Sequence, residues 1–421
     1  MDKFLIEGGE KLSGSVEASG AKNSCLALMP AAILNNGQNI IDNTPEVNDV
    51  YTMIKLLRHL GVDISFDNHK LKLDTTNITT QDAPYEHVKK MRASVYVLGP
   101  LLAKYGYAKV SLPGGCAWGP RPINLHLEAM KKLGAEVELE EGYIIAKSKK
   151  LKGGKINFDV SSVGATGNAL MASVLAEGES LITNAAIEPE IVQLSEYLVA
   201  MGANINGIGT PTLKIAGVPE LQPANIATIS DRIEAGTLLI AAAITKSKIK
   251  VNVTNASHLN AVIVKLEDAG CKINIDKKSV EIDATDIDLK SVDVTTAIFP
   301  GFPTDMQAQW ITLMSLANGT STITDTIYID RFNHVPELLR LGADIEVIRN
   351  SALVKGMKSL NGAKVMSTDL RASASLVLAG LAAEGTTEVL RIYHLDRGYQ
   401  RIDEKLNQLG ANIKRVSTEE F

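Results

Sequence analysis

A thiol, a lysine, a carboxylate and several arginines stand where they could act on a small anion. Cys116 lies in Leu112-Pro113-Gly114-Gly115-Cys116-Ala117-Trp118-Gly119-Pro120-Arg121-Pro122, whose glycines and prolines make a shaped loop able to hinge. A cation such as Arg121 lowers a thiol's pKa and readies it for chemistry; an ordinary loop with an incidental cysteine fits the composition equally well. Lys22 sits in Ser19-Gly20-Ala21-Lys22-Asn23-Ser24, just before an apolar helix. There the helix N-terminus draws anions and Gly20 permits close backbone approach; a plain loop lysine is the alternative. Asp305, in Phe302-Pro303-Thr304-Asp305-Met306, precedes another apolar helix. It reads either as a first-turn carboxylate or as a general base towards a substrate hydroxyl. Arginines open further helices in Met91-Arg92, Asp231-Arg232 and Asp369-Leu370-Arg371, and Arg397 follows in His394-Leu395-Asp396-Arg397. Guanidinium forks grip carboxylate and phosphate; structural Asp–Arg pairs are the alternative. Cys25, in an apolar helix, and Cys271, at a helix–strand turn, read as core residues. The seven histidines are scattered and no CxxC or HExxH occurs, so neither a metal site nor a bound cofactor is expected.

The elements that would position these groups repeat. A phrase recurs about every 70 residues: Leu60-Gly61-Val62, Leu133-Gly134-Ala135, Met201-Gly202-Ala203, Ala269-Gly270-Cys271, Leu341-Gly342-Ala343 and Leu409-Gly410-Ala411. Each ends an amphipathic helix, as over Asn124 to Leu133, with glycine suited to the left-handed stop. An alternating segment such as Glu136 to Glu140 follows and reads as a strand with one wet face. Each unit also holds a second helix, apolar all round and therefore buried: 24–34, 93–105, 165–176, 234–245, 306–317 and 372–383. The expected fold is α/β: two lobes of three repeats each, with sheets wrapped round buried helices. A ligand site in a cleft between lobes is a common arrangement. An open solenoid of six copies is the alternative.

Composition narrows the function. At 421 residues the chain is too long for one ordinary core. A net charge of −5 argues against a nucleic-acid binder. The first residues lack a basic region followed by an apolar one, so no signal peptide is expected, and no run reaches membrane-spanning length. Three cysteines do not suggest a disulfide framework. A cytoplasmic protein without a membrane partner is expected.

Several long blocks, in order, carry a resemblance. Ser19-Gly20-Ala21-Lys22-Asn23, Leu112-Pro113-Gly114-Gly115-Cys116, Phe302 to Gln309, Thr368 to Ser375 and His394 to Tyr399 are similar, along the whole chain, to the UDP-N-acetylglucosamine 1-carboxyvinyltransferases of the enolpyruvyl transferase family. The resemblance implies two inside-out α/β barrel lobes, residues 21–229 and residues 1–20 with 230–421, the first strand belonging to the C-terminal lobe. It implies transfer of the enolpyruvyl group of phosphoenolpyruvate to the sugar 3′-hydroxyl by addition then elimination, the first committed step of peptidoglycan precursor synthesis.

It also assigns roles. Cys116 would be general acid and site of covalent adducts, including one with the epoxide fosfomycin. Asp305 would be base to the sugar hydroxyl. Lys22, Arg121 and Arg397 would hold phosphoenolpyruvate. Asn23 would contact the sugar or the intermediate. Arg92, Arg121, Pro122, Ile123, Asn124, Leu125, Ser162, Val163, Gly164 and Ile327 would bind the UDP-sugar, and Asp369 and Arg371 would complete the charged site. No cofactor, nucleic acid or membrane partner follows, and a monomer or weak oligomer is expected. Two positions depart from the pattern: Val160 stands where some relatives carry a basic residue, and Tyr96 where some carry Trp. A 5-enolpyruvylshikimate-3-phosphate synthase-like enzyme and a catalytically silent UDP-sugar-binding paralogue are the rival readings.

Overall fold

The computed structural model describes residues 1–89, 91–112 and 123–419. The expectations for Cys116, Arg121 and Pro122 lie outside the described residues. The chain forms two compact units, Gly20–Ile229 (the first) and Met1–Ser19 with Ser230–Phe421 (the second).

Each unit holds three four-stranded sheets. Every sheet combines antiparallel pairs with one parallel edge strand. In the first unit Tyr107–Ser111 pairs antiparallel with Tyr143–Lys147, which pairs with Glu136–Glu140, while Asp82–Ala83 joins Tyr107–Ser111 in parallel. The strand at each unit's chain end completes an early sheet. Asn225–Ala227 lies parallel to Gln38–Asp42 in the first unit. In the second, Asp2–Glu7 pairs with Thr386–Leu390 and Asn412–Ser417, and Ser13–Glu17 lies parallel to Lys248–Asn252.

The apolar helices are buried as their composition requires. In the first unit they are Lys22–Ala31, Leu98–Tyr105 and Val163–Ser173; in the second, Arg232–Ile244, Gln307–Met314 and Leu370–Ala382. Two begin later than the apolar pattern suggests. Residues Arg92–Val97 and Thr304–Met306 form 3₁₀ turns that lead into their helices. Such tighter turns are common at helix ends, and here they carry Arg92 and Asp305. Trp310 is fully buried, donates its indole N–H to the Val292 carbonyl at 3.1 Å and meets Phe302 edge-on at 5.5 Å. Burying a side chain of that size contributes about 3 kcal/mol, and it anchors the segment bearing Asp305.

The recurring glycines act as expected. Gly61, Gly134, Gly202, Gly270, Gly342 and Gly410 all have φ between 86° and 109°, a region that penalises a Cβ. A second corner follows the buried helices at Gly37, Gly106, Gly178, Gly319 and Gly385, all with positive φ; in the fourth repeat Lys246 takes that place at φ 50°. The six repeats therefore close into two sets of three rather than one open array.

Candidate active site

The opening turn of each buried helix is where the repeats differ in chemistry. In the second unit, Asp305 sits in the 3₁₀ turn Thr304–Met306. Its Oδ1 accepts from Arg331 Nη1 at 2.8 Å and its Oδ2 from Arg371 Nη2 at 2.9 Å. Both arginine side chains are buried, while that of Asp305 keeps 27% of its surface exposed. Burial works against the carboxylate's charge, but Arg371 and Arg331 outweigh it and hold the carboxyl far below the usual carboxylate range.

The turn is braced from behind. Asp325, fully buried, accepts from Thr296 Oγ1 at 2.9 Å, Thr304 Oγ1 at 2.6 Å and the backbone N–H groups of Ile327 and Tyr328, each at 2.9 Å. One carboxylate thereby fixes the residue before Asp305 and the backbone of Ile327. Arg331 Nη1 also reaches Thr304 Oγ1 at 3.1 Å.

Asp369 caps the helix Leu370–Ala382, accepting from the Arg371 and Ala372 N–H groups at 2.8 and 3.2 Å. Arg397 is half-buried at the end of the 3₁₀ turn Ile392–Arg397. His394 in the same turn stacks on Tyr393 at 4.2 Å. Burial lowers its pKa, Asp369 opposes this, and Arg397 and Arg391 lower it further.

In the first unit Lys22 is the first residue of its helix and is buried. Its Nζ donates to Asp49 Oδ2 at 3.0 Å. Asn23 beside it is exposed. Ser162 caps the helix Val163–Ser173, its hydroxyl accepting from Ala165 N–H at 3.3 Å, and Ser162, Val163 and Gly164 are all partly exposed.

His126, buried on the helix Asn124–Lys132, lies against that opening turn: a Cβ at Gly164 would come within 3.1 Å of its ring. Only glycine leaves that ring its place. The His126 Nδ1 meets Asn168 Nδ2 at 2.8 Å, and burial together with nearby Arg92 pulls its pKa down to about 4. The imidazole is therefore neutral at working pH. Asn124 is exposed, and Ile123, Leu125 and Arg92 are half-buried. Tyr96 places its hydroxyl 3.4 Å from the Val163 carbonyl, so this departure from the family pattern lies beside the expected sugar-nucleotide segment. Val160 is 66% exposed.

The structure thus joins Asp305 to Arg371 directly and places His126 and Arg92 near Ser162–Gly164. The two remaining thiols are unsuited to chemistry: burial pushes Cys25 and Cys271 each up to about 12.

Comparison with known proteins decides the family. Residues 6–406 match the model of the family described as EPSP synthase (3-phosphoshikimate 1-carboxyvinyltransferase). The chain belongs to the 1-carboxyvinyl (enolpyruvyl) transferases. It is similar at 57% identity, over 100% of this chain and 99% of the relative, to a UDP-N-acetylglucosamine 1-carboxyvinyltransferase of Chloroherpeton thalassium. A protein of the same name from Prosthecochloris aestuarii is also 57% identical, over 100% of both chains. Among solved structures, the enolpyruvyl transferase NikO from Streptomyces tendae superposes with a TM-score of 0.89 at 25% identity, covering 99% of each chain. An EPSP synthase from Acinetobacter baumannii shares the fold, with a TM-score of 0.76 at 18% identity over 99% of this chain and 100% of that one.

For an enolpyruvyl transferase, four side chains found here escaped the reading of the sequence: Asp49, His126, Asp325 and Arg331. Each acts through a partner far along the chain, Arg331 being 26 residues from Asp305 and His126 42 from Asn168. The one available signal was their place: Asp49 opens a helix at a turn following a strand, and Asp325 follows a strand directly.

Proposed function

We propose that the protein transfers the 1-carboxyvinyl group of phosphoenolpyruvate to the 3′-hydroxyl of UDP-N-acetylglucosamine, releasing phosphate, as the first committed step of peptidoglycan precursor synthesis in the cytoplasm. The 57% identity along the full chain to proteins of that name carries the choice of acceptor.

The reaction adds the sugar oxygen to C2 while C3 gains a proton. The tetrahedral adduct then breaks its C2–O bond to phosphate and returns the C3 proton. Lys22, Arg121 and Arg397 hold the anionic donor, whose desolvation would otherwise be severe. Cys116 supplies the C3 proton, and Asp305 takes the hydroxyl proton. Ser162, Val163, Gly164, Arg92, Ile123, Asn124, Leu125, Pro122 and Ile327 receive the sugar nucleotide, Asn23 touches the sugar, and Asp369 keeps Arg371 in place.

The clasp on Asp305 bears on when it becomes a base. Two guanidinium groups make it a weak proton acceptor in the state described. An anionic donor that draws charge from Arg371 or Arg331 weakens that pull and raises the carboxylate's proton affinity. Basicity would then appear only once the donor has arrived.

A phosphate-release assay with both substrates tests the proposal. Release that needs phosphoenolpyruvate and UDP-N-acetylglucosamine together is expected, with fosfomycin adding one adduct, on Cys116, by intact mass. The matching family description favours one second reading, that shikimate 3-phosphate is the acceptor. Release with shikimate 3-phosphate and none with the UDP-sugar would establish that reading instead.

A further inference from the structure

We infer that Tyr399 is a positioning residue, the centre of a buried polar hub that sets Asp305 and Arg371 relative to one another. The inference rests on the proposed place of Asp305 at the reacting hydroxyl.

The hub links all three buried helices of the second unit. Thr237 lies on Arg232–Ile244, Gln309 on Gln307–Met314, and Tyr399 follows the turn at the end of Ile392–Arg397. The third helix, Leu370–Ala382, enters through Arg371, whose guanidinium carbon lies 5.4 Å from the Tyr399 ring centre. All are buried, Tyr399 to 1% exposure.

The hydrogen bonds form one continuous chain. Thr237 Oγ1 lies 2.8 Å from the Ile233 carbonyl and donates to it. That leaves its oxygen to accept from the Tyr399 hydroxyl at 3.0 Å. Gln309 Nε2 lies 3.1 Å from the phenol oxygen, 3.2 Å from Thr237 Oγ1 and 3.0 Å from the Asp305 carbonyl, so its two hydrogens serve that carbonyl and the two hydroxyl oxygens. The chain therefore runs from Asp305's own backbone to the phenol whose ring face supports Arg371.

The arrangement serves position more than stability. Gln309 Oε1 is buried with no hydrogen-bond partner among the described residues, a state that ordinarily destabilises. The amide leaves its oxygen unpaired while both hydrogens point at the hub. An apolar residue would pack there without that penalty, but it could not hold the Asp305 carbonyl and the phenol at once. Misplacing a carboxylate and its guanidinium by a fraction of an ångström slows a proton transfer without weakening substrate binding.

The test is Tyr399→Phe, which keeps the ring and deletes the hydroxyl, beside Thr237→Val and Thr237→Ser. Expected are a roughly tenfold fall in kcat per folded enzyme for Y399F and T237V, KM values for both substrates within about threefold, and parent-like kcat for T237S. A merely structural role would lower the melting temperature and leave kcat per folded molecule unchanged, and that result overturns the inference. Asp305→Ala separates the two readings. An inactive D305A with a parent-like Y399F overturns the hub alone. A D305A that turns over like the parent overturns the assignment of Asp305 and the hub with it.

Discussion

Lys22 and Asp305 occupy the same station in different repeats, the opening turn of a buried helix, with opposite surroundings. Lys22 is one cation answered by one carboxylate, Asp49, at 3.0 Å. Asp305 is one carboxylate answered by two cations, Arg331 and Arg371. The second holds a carboxylate between two guanidinium groups, whose pull an anion drawing on either arginine would loosen. The same backbone solution thus yields two kinds of site: a pinned cation and a carboxylate whose basicity depends on what its arginines are doing. The repeated fold supplies the stations, and the side chain each repeat places there sets its chemistry.

The largest effect should come from breaking the Asp305 side. Asp305→Asn keeps the shape and removes the base, and phosphate release should fall about a thousandfold. A variant within tenfold of the parent would leave the clasp a purely structural pair. Breaking the Lys22 side should show two separable losses. Lys22→Ala should lower kcat/KM for phosphoenolpyruvate about a hundredfold and, by removing the buried cation 3.0 Å from Asp49, lower the stability seen in denaturant unfolding. Adding Asp49→Asn should recover none of the turnover. Recovery of turnover would make Lys22 a structural ion and erase the contrast.

Acidification sharpens the comparison further, because each unit buries a histidine near one of its site arginines. Burial and Arg92 hold His126 at about 4, and burial and Arg331 hold His334 at about 3. Both folded values lie below the unfolded value near 6.5. The neutral ring's stability is therefore complete above about pH 6.5 and is lost as pH falls towards those values. For His126 the full span is about 3 kcal/mol. His126→Gln should flatten the fall in unfolding free energy between pH 6.5 and 4, and an unchanged slope would show that His126 is not what titrates. The smallest effect concerns the repeat itself. Lys246 holds a left-handed conformation that five other repeats give to glycine. Lys246→Gly should stabilise by about half a kcal/mol, strain relief being partly offset by unfolded-state entropy, read as a higher urea midpoint.

The architecture was legible because it is periodic. Six glycine-ended helices and six apolar helices repeat every 70 residues or so, and period is what local sequence records best. The opening turns were legible too, since Lys22, Arg92, Asp305 and Arg371 interrupt otherwise apolar stretches. What could not be read was pairing. Nothing near Asp305 announces that Arg331 rather than Arg340 will reach it, because that choice is made by where Asp325 ties down the Thr304 hydroxyl and the Ile327 backbone. The hub at Tyr399 was hidden for the same reason: Thr237, Gln309 and Tyr399 are ordinary residues 72 and 90 positions apart, joined only when three helices meet.

The pairing of Asp2–Glu7 with Asn412–Ser417 has a consequence for synthesis. A strand made early needs as its neighbour one made about 400 residues later. The stretch Gly20–Ile229 has all its strand partners within itself once Asn225–Ala227 emerges, and it can fold while translation continues. Asp2–Glu7 cannot. Ser13–Glu17 finds its neighbour once Lys248–Asn252 is made, but Asp2–Glu7 waits as an unpaired edge until Thr386–Leu390 and Asn412–Ser417 exist, the interval in which a chaperone decides the molecule's fate.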